Sequence, residues 1–257
     1  RVKKFKHYRS SFGSFGTIKK FFARLCYRSW NAVICVSPHI MREAESNIVS
    51  CKPVLLNDAV YFPRMDKYEK LCKPDLGVPE SAVLCFAIGY DYRLKGIDLA
   101  CEAVKKLRGE GLNIYLAVCT ASNTQTIAEQ IRAQFGEFPE WLKLLPPRQD
   151  IASYYRAADI YIQASRSEGF CYAIVEAAYC GKTVVASDCP GMKSHAEKNF
   201  NFLWFKNGDS DSLSEKLGQA VKMSESSELS SKNRRSAIDN YSIENMSKKL
   251  YRIYADV

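Results

Sequence analysis

Short apolar, β-branched runs alternate with amphipathic stretches along most of this chain, and that alternation narrows the fold more than any other feature. AVICVS (32–37), PVLL (53–56), AVLCFAI (82–88), NIYLAV (113–118), WLKLL (141–145), DIYIQA (159–164), TVVAS (183–187) and NFLWF (201–205) read as strands. Between them, apolar residues return at helical spacing. Ile97, Ala100, Cys101, Val104 and Leu107 fall on one face of a helix, and QTIAEQIRAQF and DIASYYRAAD repeat the pattern. Strand, helix and strand in succession imply parallel pairing through right-handed crossovers. The strands are almost continuously apolar, as in a sheet covered on both faces. The expected fold class is α/β, a doubly wound parallel sheet of Rossmann-like type. From Asp209 onward strands give way to three successive helical patterns, a helical tail.

Composition fits this picture. With 47% hydrophobic residues, 13 glycines and 9 prolines, the chain of 257 residues is neither disordered nor fibrous. Its longest apolar run, AVLCFAIGY (82–90), falls well short of the roughly 18 residues that a spanning helix needs. The ten cysteines are dispersed singly through apolar segments without a C-x-x-C pair, so buried free thiols are expected rather than disulfides or a zinc site. Free thiols fit a reducing, cytoplasmic location.

The net charge of +9 is concentrated at one end. Residues 1–42 hold ten Lys or Arg and no Asp or Glu, while the remainder holds 27 basic against 28 acidic residues. In TIKKFFARLCYRSW (17–30), Ile18, Phe21, Phe22 and Leu25 share one helical face, opposite Lys20, Arg24 and Arg28. Two readings stand: a helix packed on a sheet, or peripheral contact of residues 1–30 with an anionic membrane at its inner face, each basic residue adding roughly 1 kcal/mol. No RNP, zinc-finger or helix-turn-helix signature is present, so nucleic acid is not an expected partner.

Open α/β sheets bind ligands where loops leave the carboxyl ends of strands. Two such junctions carry suitable chemistry. In AIGYDYRLKGIDLA, strand 82–88 runs into Gly89, then Arg93 and Lys95 precede Gly96 and a helix. Cations there suit a diphosphate at the positive end of a helix. The G-x-G-x-x-G and Walker patterns are absent. In DIYIQASRSEGFCYAIVEAAYCGK, Glu168 lies in the loop and Glu176 in the following helix, where every other residue from Ala173 to Ala178 is apolar. An ionised carboxylate in a buried helix is costly unless partnered. A buried ion pair and a bound ribose, whose hydroxyls donate to a carboxylate, are the alternatives.

EGFCYAIVEAAYCGKTVVASDCPG resembles the E-x7-E region of the retaining GT-B glycosyltransferases of family 4 (glycosyl transferases group 1), which include lipopolysaccharide core glucosyltransferases. AVICVS looks like the last strand of that family's acceptor domain and PVLLNDAVYFP like its hinge. LGVPESAVLCFAIGYDYRLKGIDLACEAVKKL looks like its first donor-domain unit, YYRAADIYIQASRSEGF like its strand entering the site, and YSIENMSKKLYRIY like its closing helix. The resemblance covers roughly residues 18 to 257.

It implies a remnant of the acceptor-binding domain and hinge in residues 1–50, a donor-binding domain in 51–237, and a helix at 238–257 packing back toward the amino-terminal part, with most of the acceptor domain outside this sequence. It further implies Glu168, Lys95 and Arg93 as catalytic residues, with Arg93 and Lys95 clamping the diphosphate. Glu176 would bind the donor ribose, and Gly89, Gly169, Phe170 and Cys171 would approach sugar and phosphate. The implied donor is a nucleotide-diphosphate sugar, the acceptor a saccharide or lipid-linked molecule, and no cofactor or metal is expected, no Asp-x-Asp motif being present. Tyr90 stands where the family commonly has arginine, and CTASN (119–123) replaces a glycine-containing turn. Ser194 and His195 follow the PG turn, where an acid is common, and His195 reads as structural.

Overall fold

The computed structural model describes residues 4–8, 30–47, 51–121, 123–223 and 226–256. Among the described residues, nine strands form two parallel sheets. The smaller has the order β1 (Phe5–Tyr8), β2 (Ala32–Cys35), β3 (Lys52–Leu55); the larger has six strands. In chain order these are β4 (Val83–Ile88), β5 (Ile114–Cys119), β6 (Leu142–Leu145), β7 (Ile160–Gln163), β8 (Thr183–Ser187) and β9 (Leu203–Phe205). Their spatial order is β6-β5-β4-β7-β8-β9. The chain winds outward from β4 to one edge, then returns to pair β7 on the other side of β4. That reversal is the topological switch point of a doubly wound sheet, where ligand crevices form.

Alternate residues of each strand serve opposite faces. Leu84 and Phe86 pack in one core, with α4 (Ala152–Ala157), α5 (Tyr172–Tyr179) and α8 (Ser227–Tyr241). Cys85 and Ala87 pack in the other, with α2 (Ile97–Gly109), α3 (Thr124–Phe135) and α7 (Ser210–Met223). This period of two explains why the strands read as uniformly apolar: both sets of side chains are buried. The first core continues into the small sheet through Val33 and Cys35, and into α1 (Pro38–Asn47) through Ile40 and Ala44.

All eight strands expected from the sequence are present, and β1, α1 and the short helix α6 (Pro190–Lys193) are additional. β1 lies at an edge of its sheet with Lys6 and His7 exposed, so its pattern lacks the apolar continuity that marks the other strands. Residues 17–29 of the basic amphipathic segment 17–30 lie outside the described residues, as do residues 48–50 of the expected hinge. Val60 N–H donates to the Tyr241 carbonyl (2.8 Å), and Phe5 meets Tyr254 of the last helix, α9 (Ile243–Asp256), at 4.5 Å between ring centroids. Nine cysteines are free among the described residues, seven of them buried. No helix among those residues is long and apolar enough to cross a membrane.

Candidate active site

β4 and β7 pair only through Cys85↔Ile160 and Phe86↔Tyr161, and the loop that follows each strand is held against the other. After β4, Asp91 Oδ1 accepts from the Arg93 and Leu94 amides (3.1 and 2.8 Å), coiling the chain into a tight turn. Gly96 then adopts φ +65°, and a Cβ there would lie 2.0 Å from the Ala164 carbonyl oxygen. No other residue fits that approach. Arg166 seals the contact: its amide donates to Leu94 O (2.9 Å), and its guanidinium grips both oxygens of buried Asp98 at 2.8 Å.

The second loop is built with equal closeness. Ser187 Oγ donates to Ser165 O (2.5 Å), and a Cβ on Gly191 would lie 1.7 Å from the Glu168 carbonyl oxygen. Cys171, the residue before α5, takes φ +68°, a conformation that costs a non-glycine residue about 1–2 kcal/mol.

These constraints bring Lys95 and Glu168 together, 73 residues apart in sequence. Lys95 Nζ lies 2.7 Å from Glu168 Oε1, which also accepts from Ser165 Oγ (2.7 Å) and Gln163 Nε2 (3.2 Å). Tyr161 in turn donates to Gln163 Oε1 (2.6 Å). All of Glu168's side-chain hydrogen bonds among the described residues fall on Oε1, so Oε2 remains available as an acceptor. Burial pulls the Lys95 ammonium down, but the Glu168 charge and hydrogen bond outweigh it and raise Lys95 above the usual lysine value. Lys95 therefore carries its positive charge near neutrality.

The pair lines a cleft of about 300 Å³, together with Gly169, Phe170, Cys171 and Tyr172 of the second junction and Asp58 of the segment after β3. Asp58 is buried and accepts from the Tyr172 hydroxyl. Larger depressions of about 430 and 560 Å³, beside Gly218 and Trp141, contain no residue of either junction. Convergent polar groups, rather than volume, distinguish the smaller cleft.

The other expected site residues are placed differently. Gly89 does not line the cleft; its hydrogen faces Ile97, whose Cδ1 a Cβ would meet at 2.6 Å, so it serves packing of the first loop on α2. Arg93 also stands outside the lining. Its guanidinium donates to Asp98 Oδ2 (2.6 Å) and its side chain is 75% exposed. Glu176 lies one helical turn beyond Ala173, which lines the cleft, and is bound by Arg64 on Oε1 and by the Tyr155 hydroxyl on Oε2 (3.2 Å). Burial raises its carboxyl above the usual value, with Arg64 and Tyr155 opposing. His195 is buried beneath Phe170, its Nε2 donating to the Phe170 carbonyl (2.5 Å).

The sequence reading did not single out Asp58, Gln163, Ser165, Arg64 or Tyr155. Gln163 and Ser165 carried a readable sign, polar residues at the carboxyl end of an apolar strand and facing the same way as one another. Arg64 and Tyr155 carried none, because their importance arises from contacts 112 and 21 residues away.

The model of the family described as glycosyl transferases group 1 matches residues 72–237. The chain belongs to that family. The match runs from just before β4 into α8, and so contains both junctions of the glycosyl transferases group 1 fold. Among curated relatives, N,N'-diacetylbacillosaminyl-diphospho-undecaprenol alpha-1,3-N-acetylgalactosaminyltransferase of Campylobacter jejuni is 37% identical over 73 residues, 28% of this chain and 19% of that protein. A D-inositol 3-phosphate glycosyltransferase of Corynebacterium urealyticum is 24% identical over 203 residues, 76% of this chain and 48% of the relative. The chain thus spans less than half the length of these relatives. Of solved structures, Anabaena HepE in complex with UDP-glucose superimposes with a TM-score of 0.82 at 16% identity, over 99% of this chain and 72% of that one. A glycosyltransferase from Rickettsia africae gives 0.81 at 19% identity, over 98% and 70%. The fold is the Rossmann-like α/β arrangement of GT-B glycosyltransferase structures.

Proposed function

We propose that this chain is the donor-binding part of an enzyme that moves a sugar, with retention of configuration, from a nucleotide-diphosphate sugar to a saccharide or lipid-linked acceptor of the cell-surface polysaccharide or lipopolysaccharide type. One observation carries the reading: the Lys95–Glu168 ion pair, assembled at the switch point from two separate strand-to-helix junctions.

Breaking a sugar–phosphate bond leaves negative charge on the departing diphosphate and oxocarbenium character on the sugar. Lys95, ionised and fixed, meets the first. Glu168 Oε2 meets the second, as carboxylates do in glycosidases. The amino end of α5 adds its dipole to the diphosphate side. In this reading amino-acid cations, rather than a metal ion, carry the charge. Glu176, a turn beyond the cleft on α5, is the acceptor for the ribose, and residues 51–237 form the donor unit.

Isothermal titration with UDP-, GDP- and ADP-sugars, followed by mass-spectrometric detection of sugar release or transfer, tests this reading. Binding of one donor and its loss in Glu176→Ala support it. A wild-type chain that binds none of them refutes it. A second reading is a donor-binding module inactive alone, part of a split or regulatory glycosyltransferase. Donor binding without any turnover, turnover appearing when an amino-terminal acceptor half is supplied, would select that alternative.

A further inference from the structure

Arg64 belongs to neither junction, yet it is fixed beside one of them. Its segment forms a short 3-10 turn, Phe62–Met65. Phe62 stacks on Tyr179 of α5 with ring centroids 4.3 Å apart and planes within 13° of parallel. The Met65 carbonyl accepts from Arg156 (3.3 Å), and Asp66 accepts from Tyr179 (2.7 Å) and Arg234 (3.2 Å). The backbone carrying Arg64 is therefore bound to α4, α5 and α8. From this anchored turn the guanidinium reaches Glu176 Oε1, its one ionic partner among the described residues. The Arg64 side chain is 54% exposed and that of Glu176 only 8%.

A carboxylate offers about four acceptor positions. Arg64 uses one on Oε1 and Tyr155 one on Oε2, leaving one on each oxygen. Two adjacent acceptors match a vicinal diol.

We propose that Arg64 is a positioning residue for the nucleotide, holding the Glu176 carboxylate ionised and oriented so that its two remaining acceptor positions receive the ribose 2′- and 3′-hydroxyls. The inference rests on the nucleotide-sugar reading above. The titratable groups facing Glu176 are Arg64 from the 3-10 turn, Tyr155 from α4, Tyr161 from β7 and Cys180, the residue that ends its own helix. Burial holds both tyrosines and the thiol protonated, well above neutral pH. Arg64 is thus the charge that offsets the burial of Glu176. Without it the carboxyl keeps its proton to higher pH, and a protonated carboxyl has lost one of its acceptor positions.

Calorimetric titration of the chain with UDP, CDP, GDP and ADP first identifies the nucleoside diphosphate that wild type binds most tightly. That compound and its 2′-deoxy counterpart are then titrated into wild type, Arg64→Met and Arg64→Lys from about pH 5 to pH 8. Because Glu176 must be ionised to accept two hydroxyls, binding weakens as pH falls through its titration. Arg64→Met is expected to bind the ribonucleotide about tenfold more weakly and to move this acid-side loss up by about one pH unit. Arg64→Lys should restore most of both, and the 2′-deoxy compound should lose less than the ribonucleotide.

Equal or tighter ribonucleotide binding by Arg64→Met would show that Arg64 shields Glu176 and would overturn the inference. So would weaker binding with an unmoved pH midpoint and equal losses for both compounds. If Arg64→Met does not fold, the same comparison between wild type and Arg64→Lys decides, weaker binding with an unmoved pH midpoint and equal losses for both compounds being the overturning result. A wild type that binds no nucleoside diphosphate removes the nucleotide reading itself, a different result from binding that ignores Arg64.

Discussion

Glu168 and Glu176 stand eight residues apart, and the cations that meet them arrive in contrasting ways. Glu168 and Lys95 are both deeply placed, with side chains 12% and 14% exposed, and two further donors share the same carboxylate oxygen. The loop of Lys95 is locked to that of Glu168 at Gly96, and the Glu168 loop is locked in turn to the short turn at 190–193 at Gly191. Glu176 is as deeply buried, but Arg64 lies half in solvent and comes from outside the six-stranded sheet. A pair with both ends buried is part of the fold, and removing one end strands a charge. A pair with one end in water can be altered while the fold persists, so it is the better place to tune a site. In the proposed reading the first pair carries the chemistry and the second adjusts the site.

The largest test strikes the locking itself. Gly191→Ala puts a methyl group 1.7 Å from the Glu168 carbonyl oxygen, so the loop carrying Glu168 must shift or the short turn at 190–193 must unwind. A loss of about 3–5 kcal/mol in urea unfolding is expected, with donor binding abolished. A variant within about 1 kcal/mol of wild type would show that the turn at 190–193 does not hold the Glu168 loop in place, and the contrast between the acids would weaken. Next in size is Lys95→Met, which leaves Glu168 buried without its cation. It should cost about 3 kcal/mol of stability and about a hundredfold in sugar transfer or donor hydrolysis. Arg64→Met, by the same unfolding assay, should cost only about 1 kcal/mol, because the exposed guanidinium is screened. Similar losses for the two would erase the distinction between a locked and an adjustable pair.

How far this arrangement could be read from the sequence follows the range of the interactions involved. Strands 82–88 and 159–164 declared themselves because both of their faces are buried, and Lys95 and Glu168 because each sits where a strand meets a helix. Their mutual contact was not legible as a distance, since it depends on Gly96 lying flat on Ala164 and Gly191 on Glu168, close approaches that no local pattern encodes. Asp58 was visible only as an acid after Asn57. That it enters the cleft depends on the path taken from the small sheet to the large one. Arg93 shows the opposite case: its position in the loop suggests a clamp, and Asp98, five residues on and buried in the first turn of α2, holds its guanidinium outside the lining of the cleft.

His195 tests the wedge between the two acids. Phe170 lies between them in sequence, and the buried imidazole holds its carbonyl by Nε2. Burial depresses the His195 pKa to about 4, from an unfolded value near 6.5. Between those values the unfolded chain binds the additional proton, so the stability from neutral His195 is complete above about pH 6.5 and declines as pH falls toward 4. The decline should reach about 3 kcal/mol, read as the difference between wild type and His195→Gln in urea midpoints across this range. A difference independent of pH would mean that the ring is solvated, leaving Phe170 and the loop between the acids without this support.

The smallest expected effect belongs to Arg93. Asp98 already receives two hydrogen bonds from Arg166, so it stays paired when Arg93 is removed. A side chain 75% exposed contributes little through its one ion pair. Arg93→Ala should therefore change stability by less than about 1 kcal/mol and leave sugar release within about threefold of wild type, whereas Arg166→Ala, which strips the bidentate contact from a buried carboxylate, should cost more in stability. If Arg93→Ala instead lost activity as severely as Lys95→Met with no loss of stability, the guanidinium must leave Asp98 for the diphosphate when donor binds. The first junction would then possess its own adjustable cation, and the half-exposed partner would be a property of both acids' surroundings rather than of Glu176 alone.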